Sequence, residues 1–238
     1  MKRPFERTYL SVHSSKIKKP ITIVQISDLH NRLYGNGQAQ LLQAIREEHP
    51  DLIACTGDLF NRHDASEYEN AFTLIRAIAG EIPTYVVEGN HEAALGTIGE
   101  QFLREISQMG ATVLRNAAQP FKDVRVIGLK QRPTKAELLP LIRPDCFHLV
   151  LSHRPELFDL YVSCHVDLVL SGHAHGGQIR IGNLALLAPQ QGLFPKYTSG
   201  LYEKNGTRMF VSKGLGDTVW VPRIHNPHEL NIIHLLPR

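Results

Sequence analysis

Long hydrophobic runs are absent from this chain of 238 residues. No apolar stretch approaches the roughly 20 residues that a helix needs to span a bilayer, so an integral membrane protein is not predicted. The N-terminus begins with charged residues and continues without a long apolar core, which argues against a secretory signal. With 42% hydrophobic and 21% charged residues, the composition is typical of a globular protein. We therefore predict a cytoplasmic protein that folds as a single domain over residues 1–238.

Cysteine is also scarce, and the three cysteines show no C-x-x-C spacing. An odd number without that spacing argues against a disulfide framework and against a thiolate zinc site. Cys55 lies inside an apolar run and is interpreted as a small buried hydrophobic residue. A reducing compartment is consistent with this usage.

Neither sign of charge is in strong excess, because 26 lysines and arginines stand against 23 aspartates and glutamates. Phosphate-binding surfaces usually carry a clustered basic face, so no stable nucleic-acid partner is expected and a nuclease is disfavoured. One local bias lies in the first 20 residues, where Glu6 is the single acidic residue. The simpler interpretation is a solvated tail and an edge strand. The alternative is a weak peripheral attraction to anionic lipid at the inner membrane face, at about 1 kcal/mol per basic residue. The basic residues are Lys2, Arg3, Arg7, Lys16, Lys18 and Lys19.

Apolar runs of strand length alternate with segments of helical period, which indicates stacked β-α units. The middle of the chain predicts two short strands of a more antiparallel kind, at 112–114 and 124–129. After Gln178 the chain has short β segments and no clear helix. The other predicted strands cover 21–26, 52–55, 85–87, 147–151, 168–170, 209–212 and 230–235, and the predicted helices lie around 41–45, 72–79, 102–106 and 135–141.

Five short polar motifs follow predicted strands. Since loops at the carboxyl ends of strands gather ligands in α/β sheets, these motifs can converge although they are far apart in sequence. The residue pairs 28/30 and 173/175 have a spacing of two, which predicts side chains on the same side of an extended segment. Adjacent glycines allow tight turns. The motifs are Asp28-Leu29-His30, Gly57-Asp58, Gly89-Asn90-His91-Glu92, Ser152-His153 and Gly172-His173-Ala174-His175-Gly176-Gly177.

The motifs offer carboxylate, imidazole and amide oxygen ligands but no sulfur. This mixture suits manganese, iron, cobalt or zinc better than an all-oxygen magnesium shell. A pair of such ions can turn water into a nucleophile at neutral pH. Two carboxylates and a hydroxide do not fully neutralise two divalent ions, so the remaining positive charge favours a phosphate anion.

Each motif alone has an ordinary structural interpretation. Asp-x-His and Gly-Asp occur at turns and helix caps, and Gly-Asn-His-Glu can be a plain turn. Gly-His-x-His-Gly-Gly is more specific, because two imidazoles framed by glycines rarely serve a core. The remaining histidines are expected to be surface or strand residues, namely His13, His49, His63, His148, His165, His225, His228 and His234.

The motif series resembles that of the calcineurin-like binuclear metallophosphoesterases, which runs D-x-H, G-D, G-N-H-D/E, a lone H and G-H-x-H. The resemblance spans residues 21–178. Through 175–180 and 211–216 it extends to a bacterial subgroup with membrane-associated and lipid-pyrophosphate-cleaving members. It implies an α/β fold, a four-layer α/β/β/α sandwich of two mixed β-sheets flanked by helices.

The resemblance also implies residue roles around two divalent metal ions. His91 would approach the phosphate and protonate or stabilise the leaving oxygen, and Glu92 would orient a neighbouring imidazole. Asp58 would bridge the two metals. The other ligands would be Asp28, His30 and His175 on the first metal and Asn90, His153 and His173 on the second.

The implied function is metal-dependent phosphoester hydrolysis by a metal-bridging hydroxide, in the first place a phosphodiesterase acting on a small phosphoester or a phospholipid-like substrate. A UDP-sugar-lipid pyrophosphatase and a phosphomonoesterase of the same fold are alternatives. A catalytically silent metal-binding scaffold is the alternative from another class, but no ligand is missing from the pattern. Arg32 is equally well interpreted as a phosphate-binding residue and as an exposed loop residue. Trp220 is interpreted as a packed aromatic, or more boldly as a contact for an apolar substrate group.

Overall fold

The structure is a computed structural model that describes residues 4–61, 68–182, 184–188, 191–217 and 222–238. In its first half, β-branched and aliphatic runs form the strands, and segments of helical period form the helices between them. A single 3-10 turn precedes the first helix. The elements are β1 (Glu6–Ser14), β2 (Ile21–Ile26), α1 (Ala39–Glu47), β3 (Leu52–Cys55), α2 (Glu69–Ala79), β4 (Thr84–Val86), α3 (Asn90–Ala94), α4 (Thr97–Gln108) and β5 (Thr112–Val113).

The second half repeats this alternation with shorter helices and then continues into short hairpins. Its elements are β6 (Ala117–Phe121), β7 (Val124–Gly128), α5 (Lys135–Leu138), β8 (Phe147–Leu151), α6 (Phe158–Ser163), β9 (Leu168–Ser171), β10 (Arg180–Ile181), β11 (Leu184–Ala185), β12 (Leu187–Ala188), β13 (Gly192–Leu193), β14 (Gly200–Lys204), β15 (Thr207–Val211) and β16 (Glu229–Pro237).

Two six-stranded mixed sheets organise these strands. The first has the order β1-β16-β2-β3-β4-β5 and is parallel except where β16 meets β2. The second has the order β14-β15-β9-β8-β7-β6 and is antiparallel at its two outer pairs. Both sheets therefore contain parallel strands at their centres, and these strands can deliver their carboxyl ends to one region.

Three hydrophobic clusters separate four layers. The central cluster joins residues of both sheets, such as Ile23 and Leu52 from the first and Leu149 and Leu168 from the second. A second cluster packs α1, α2 and α4 on the outer face of the first sheet. A third packs α5 and α6 on the outer face of the second sheet. The predicted α/β/β/α sandwich is confirmed. None of the helices in the described ranges combines the length and apolar character needed to cross a bilayer.

The predicted strands at 21–26, 52–55 and 147–151 have the bounds that the structure shows. The prediction of an antiparallel middle was wrong for 112–114, because β5 pairs in parallel with β4 in the first sheet. The antiparallel partner of β7 is instead β6. The sequence of β6, Ala-Ala-Gln-Pro-Phe, has low β propensity, and its proline is tolerated because β6 is an edge strand.

Candidate metal centre

The carboxyl ends of parallel strands from both sheets meet at one place. Gln25, at the end of β2, donates from Nε2 to Thr56 Oγ1 and to the Ser171 carbonyl, both at 3.0 Å. This side chain thus ties two strands of the first sheet to β9 of the second. A Cβ at Gly89 would collide with Asp58, and one at Gly172 would collide with Ser27 and Asp28. The two glycines therefore permit the close approach of the motif loops.

The backbone of the motif residues is left-handed rather than extended. Positive φ values between 47° and 70° occur at Asp28, His30, Asp58, His173 and His175. The prediction that a spacing of two places side chains together on an extended segment was therefore wrong in its geometry. Left-handed backbone is unfavourable for non-glycine residues, and such strain clusters at functional sites. The turns nevertheless bring both members of each pair to the same cluster.

The first group of candidate ligands comprises Asp28, His30, Asp58 and His175, all buried. One donor atom from each lies within 4.8 Å of the others. His175 Nε2 lies 3.1 Å from His30 Nε2 and 3.4 Å from Asp28 Oδ1. His30 Nε2 lies 3.9 Å from Asp58 Oδ2. The four residues come from the loops after β2, β3 and β9.

The second group comprises Asp58, His153 and His173, also buried. His153 Nε2 lies 3.2 Å from Asp58 Oδ2 and 3.1 Å from His173 Nδ1. The side-chain oxygen of Asn90 lies 3.1 Å from the same His153 nitrogen. Asp58 belongs to both groups, so its carboxylate stands between them.

This donor set fits a divalent cation. Two imidazole nitrogens bound to one ion at about 2.0–2.1 Å would lie about 3 Å apart, which is the separation found for the pairs His30/His175 and His153/His173. Burial lowers the pKa of His30 to about 3 and that of His175 well below its usual range. Neutral imidazoles of this kind are ready to ligate a metal.

His153 and Asp58 behave as an ion pair in the metal-free protein. Burial by itself disfavours the charge on each, but their mutual attraction overrides it. The carboxylate of Asp58 raises the pKa of His153 to about 9, and His153 holds the pKa of Asp58 well below its usual range. The second group therefore holds a proton at neutral pH that a metal ion must displace.

Metal uptake is therefore expected to release a proton from His153 and to tighten as the pH rises toward about 9. The same pair stabilises the metal-free fold below the ordinary imidazole pKa of 6.5, and this stabilisation is lost as the pH rises through about 9. Calorimetric titration of manganese into metal-free protein, in buffers of different ionisation enthalpy, measures the released protons. Uptake without proton release at neutral pH would contradict the assignment.

His91 lies beside the two groups without belonging to either. Its Nε2 is 3.9 Å from Asp58 Oδ2, and its backbone N–H donates to Asp58 Oδ1 at 2.8 Å. Its side chain is 12% exposed, whereas those of His30, His153 and His175 are 2% exposed or less. The imidazole of His91 therefore borders both the candidate ligands and solvent.

Glu92 holds the loop that carries Asp58 rather than an imidazole ring. Its carboxylate accepts backbone N–H bonds from Gly89 at 2.7 Å, Asp58 at 2.9 Å and Leu59 at 2.8 Å. The interpretation that Glu92 orients a histidine is corrected by these contacts. Burial, reinforced by the Asp58 carboxylate, raises the pKa of Glu92 to about 7.

Replacing Glu92 with alanine is expected to lower the free energy of unfolding by at least about 3 kcal/mol. Three buried N–H groups would lose their acceptor, and each unpaired group costs about 1–3 kcal/mol. Urea denaturation of the metal-free proteins measures the change. Glu81→Ala is the matched control, because Glu81 is exposed and pairs with Arg46 at the surface, where such pairs contribute at most about 1 kcal/mol. Equal losses in the two variants would contradict this role.

The sequence analysis did not identify the arginines that contact the candidate ligand histidines. Arg32 pairs with Asp217 and lies over the Tyr34 ring. Arg154 Nη1 instead lies 3.1 Å from His173 Nε2, and Arg223 Nη2 lies 3.2 Å from His175 Nδ1. The position of Arg154, directly after His153, was a usable signal.

No local feature of the sequence pointed to Arg223. Of the other interpreted residues, Trp220 and His63 lie outside the described residues. His148 is a buried strand residue paired with Asp167, as a structural role predicts.

Comparisons with known proteins agree with this geometry. The family profile described as Calcineurin-like phosphoesterase matches residues 21–177. An uncharacterized metallophosphoesterase of Campylobacter jejuni is 30% identical over 240 residues, which is 95% of this chain but 62% of that relative's length. The chain therefore spans less than two thirds of that relative. Phosphodiesterase YaeI of Escherichia coli is 28% identical over 91% of this chain and 83% of its own length.

A solved structure supports the fold. The Thermus thermophilus protein TT1561 superposes with a TM-score of 0.52 at 13% identity, covering 82% of this chain and 90% of that one. The family match covers well over half of the chain and includes all five motifs. The chain therefore belongs to the calcineurin-like phosphoesterase family and carries a metallophosphoesterase domain.

Proposed function

We propose that this protein hydrolyses phosphodiesters with two divalent metal ions held by the cluster. The observation that carries the proposal is the position of Asp58, whose carboxylate belongs to both groups of candidate ligands. The first ion would be held by Asp28, His30 and His175, and the second by Asn90, His153 and His173. Manganese, iron, zinc and cobalt all suit these donors.

When bound, the two ions would polarise the phosphoryl oxygens and supply a nucleophile from water. The protein side chains would position the site, attract the substrate and supply a proton. Glu92 fixes the Asp58 loop, and Gln25 fixes the two sheets relative to each other. Arg154 and Arg223 place positive charge next to the ligand histidines, where it would attract the anionic substrate. His91 would donate a proton to the leaving oxygen from the solvent-facing side of the cluster.

A diester is favoured over other phosphoesters by the relative named Phosphodiesterase YaeI. A monoester and a lipid pyrophosphate present a similar phosphoryl group, so they remain the competing substrates. A silent scaffold is disfavoured because each residue of the motif series is present and lies in or beside the cluster.

A panel of phosphoesters assayed with manganese tests the proposal. We expect bis-aryl phosphate to be hydrolysed faster than aryl phosphate or a lipid pyrophosphate, and cyclic nucleotides, which are also phosphodiesters, report which kind of diester is preferred. Faster hydrolysis of aryl phosphate would instead identify a monoesterase, and faster hydrolysis of the pyrophosphate a pyrophosphatase. Full metal loading without hydrolysis of any member would identify a scaffold. A duplex DNA substrate at increasing salt serves as the control for nuclease activity.

A further inference from the structure

Two buried arginines lie against the candidate ligand histidines, one in each group. Arg154 Nη1 lies 3.1 Å from His173 Nε2, and Arg223 Nη2 lies 3.2 Å from His175 Nδ1. Each arginine side chain is only 6% exposed. Each group of candidate ligands is therefore bordered by a guanidinium that has little contact with solvent.

Both guanidiniums face the ring nitrogen that is turned away from the other candidate ligands. In the first group His175 turns Nε2 toward His30 at 3.1 Å and Nδ1 toward Arg223. In the second group His173 turns Nδ1 toward the neighbouring ligand histidine at 3.1 Å and Nε2 toward Arg154. Each arginine consequently contacts a histidine that can still ligate a metal ion through its other nitrogen.

A guanidinium is an unusual partner for this outer nitrogen. The outer nitrogen of a metal-ligating histidine almost always donates to a carboxylate, a backbone carbonyl or water, and such an acceptor makes the imidazole a stronger ligand. A guanidinium has five donors and no acceptor. Its positive charge also repels a cation on the far side of the ring. Arg154 and Arg223 should therefore weaken the binding of metal ions to the histidines that they contact.

Nearby carboxylates offset the two guanidinium charges in part. Asp217 Oδ1 lies 3.2 Å from Arg223 Nε, but the same carboxylate also pairs with Arg32. Glu156 Oε1 lies 3.4 Å from Arg154 Nη1. Among the described residues, the buried Nη1 of Arg223 has no hydrogen-bond partner. A buried donor of this kind is costly unless an acceptor is supplied, and an oxyanion is an acceptor with the complementary charge.

We propose that metal ions and a phosphoryl anion load the centre cooperatively, and that Arg154 and Arg223 create this dependence. The other carboxylates at the centre, Asp28 and Asp58, are themselves candidate ligands. Bound ions would neutralise them and leave the guanidiniums without that compensation, which a phosphoryl anion would restore. Ion and anion would then strengthen each other's binding by the same factor. The proposal rests on the two-metal centre of the proposed function but not on hydrolysis.

Manganese binding, followed by electron paramagnetic resonance of the free ion, tests the proposal. Metal-free protein is titrated over the same free-manganese concentrations in chloride and in inorganic phosphate, at equal ionic strength. We expect phosphate to tighten manganese binding by about tenfold, within the usual range of coupling between two ligands. Dimethyl phosphate in place of inorganic phosphate shows whether a diester also supplies the anion. An unchanged manganese affinity with both anions overturns the proposal.

Substitution of the arginines separates their effect from direct binding of the anion to the ions. Arg154→Gln combined with Arg223→Gln removes both charges, so manganese should bind about tenfold more tightly without phosphate, the change that partners of ligand histidines usually produce. Phosphate should then have a smaller effect. The corresponding double lysine variant keeps both charges and should resemble the unaltered protein. Arg46→Gln is the matched control, because the Arg46 side chain is 49% exposed and pairs with Glu81 at the surface.

The single glutamine variants give the same test if the double variant does not fold, and the melting temperature of each metal-free protein shows whether it does. Arg223→Gln should tighten the binding of one ion and Arg154→Gln that of the other. Glutamine variants that bind manganese no more tightly than the unaltered protein overturn the proposal, as does an equal effect of phosphate in both. Equal gains in the glutamine and lysine variants would assign the effect to packing and also overturn it. Failure to hydrolyse any phosphoester leaves each of these binding results interpretable, because no substrate is turned over in them.

Discussion

Asp58→Ala is expected to lose bound metal and hydrolysis of bis-aryl phosphate together, with turnover reduced roughly a thousandfold or more. Asp58 is shared by the two groups of candidate ligands, so its removal takes a ligand from both. Its Oδ2 lies 3.2 Å from His153 Nε2 and 3.9 Å from His30 Nε2. Removing it also deprives the charged His153 of its counterion, which lowers the pKa of that imidazole.

Metal analysis and turnover measured on the same protein samples check this result. Asp58→Asn separates the loss of charge from the loss of an oxygen ligand and should retain part of the metal. Asp159→Ala is the matched control, since the Asp159 side chain is 72% exposed and pairs with Lys204 at the surface. Full turnover in Asp58→Ala would refute the assignment.

His91→Ala is expected to keep its metal but lose turnover by a factor of roughly 10²–10⁴, the usual contribution of a general acid. The imidazole lies outside both groups of candidate ligands, and it is more exposed than the ligand imidazoles. Its position beside Asp58 places it next to any phosphate held there. The variant therefore removes a proton donor without removing a ligand.

The dependence on the leaving group separates this role from a structural one. A general acid matters most when the leaving oxygen is basic, so His91→Ala should impair dialkyl phosphodiesters, which expel an alkoxide, more than alkyl nitrophenyl phosphodiesters, which expel nitrophenolate. His13→Ala, in which a strand residue bonded to the Pro237 carbonyl is removed, provides the control. An equal loss for all leaving groups, or loss of metal along with turnover, contradicts the role.

The sequence could predict which residues converge, because the convergence follows from a regular feature. Buried runs such as 52–55 and 147–151 identify strands, and parallel strands in a sandwich bring their carboxyl ends together. The motif at 172–177 could be assigned to the site in the same way, because it directly follows the buried strand β9. Neither inference required the contacts of any single side chain.

What the sequence could not predict depends on contacts between distant residues. Glu92 binds amides that are over 30 positions away, and Arg223 reaches a histidine 48 positions earlier. The left-handed backbone at Asp28 and Asp58 is uncommon for residues other than glycine, although aspartate adopts it more often than most, and no local sequence pattern indicated it. The edge strand β6 was missed because pairing with β7, rather than its own propensity, makes it a strand.

The most direct test of the central claim is a titration of metal-free protein with manganese in which bound ions and bis-aryl phosphate hydrolysis are followed together. The account predicts that activity requires two ions per chain and reaches its maximum when both are bound. It is contradicted if the protein saturates at a single ion with full activity, or if it binds two ions and hydrolyses no phosphoester.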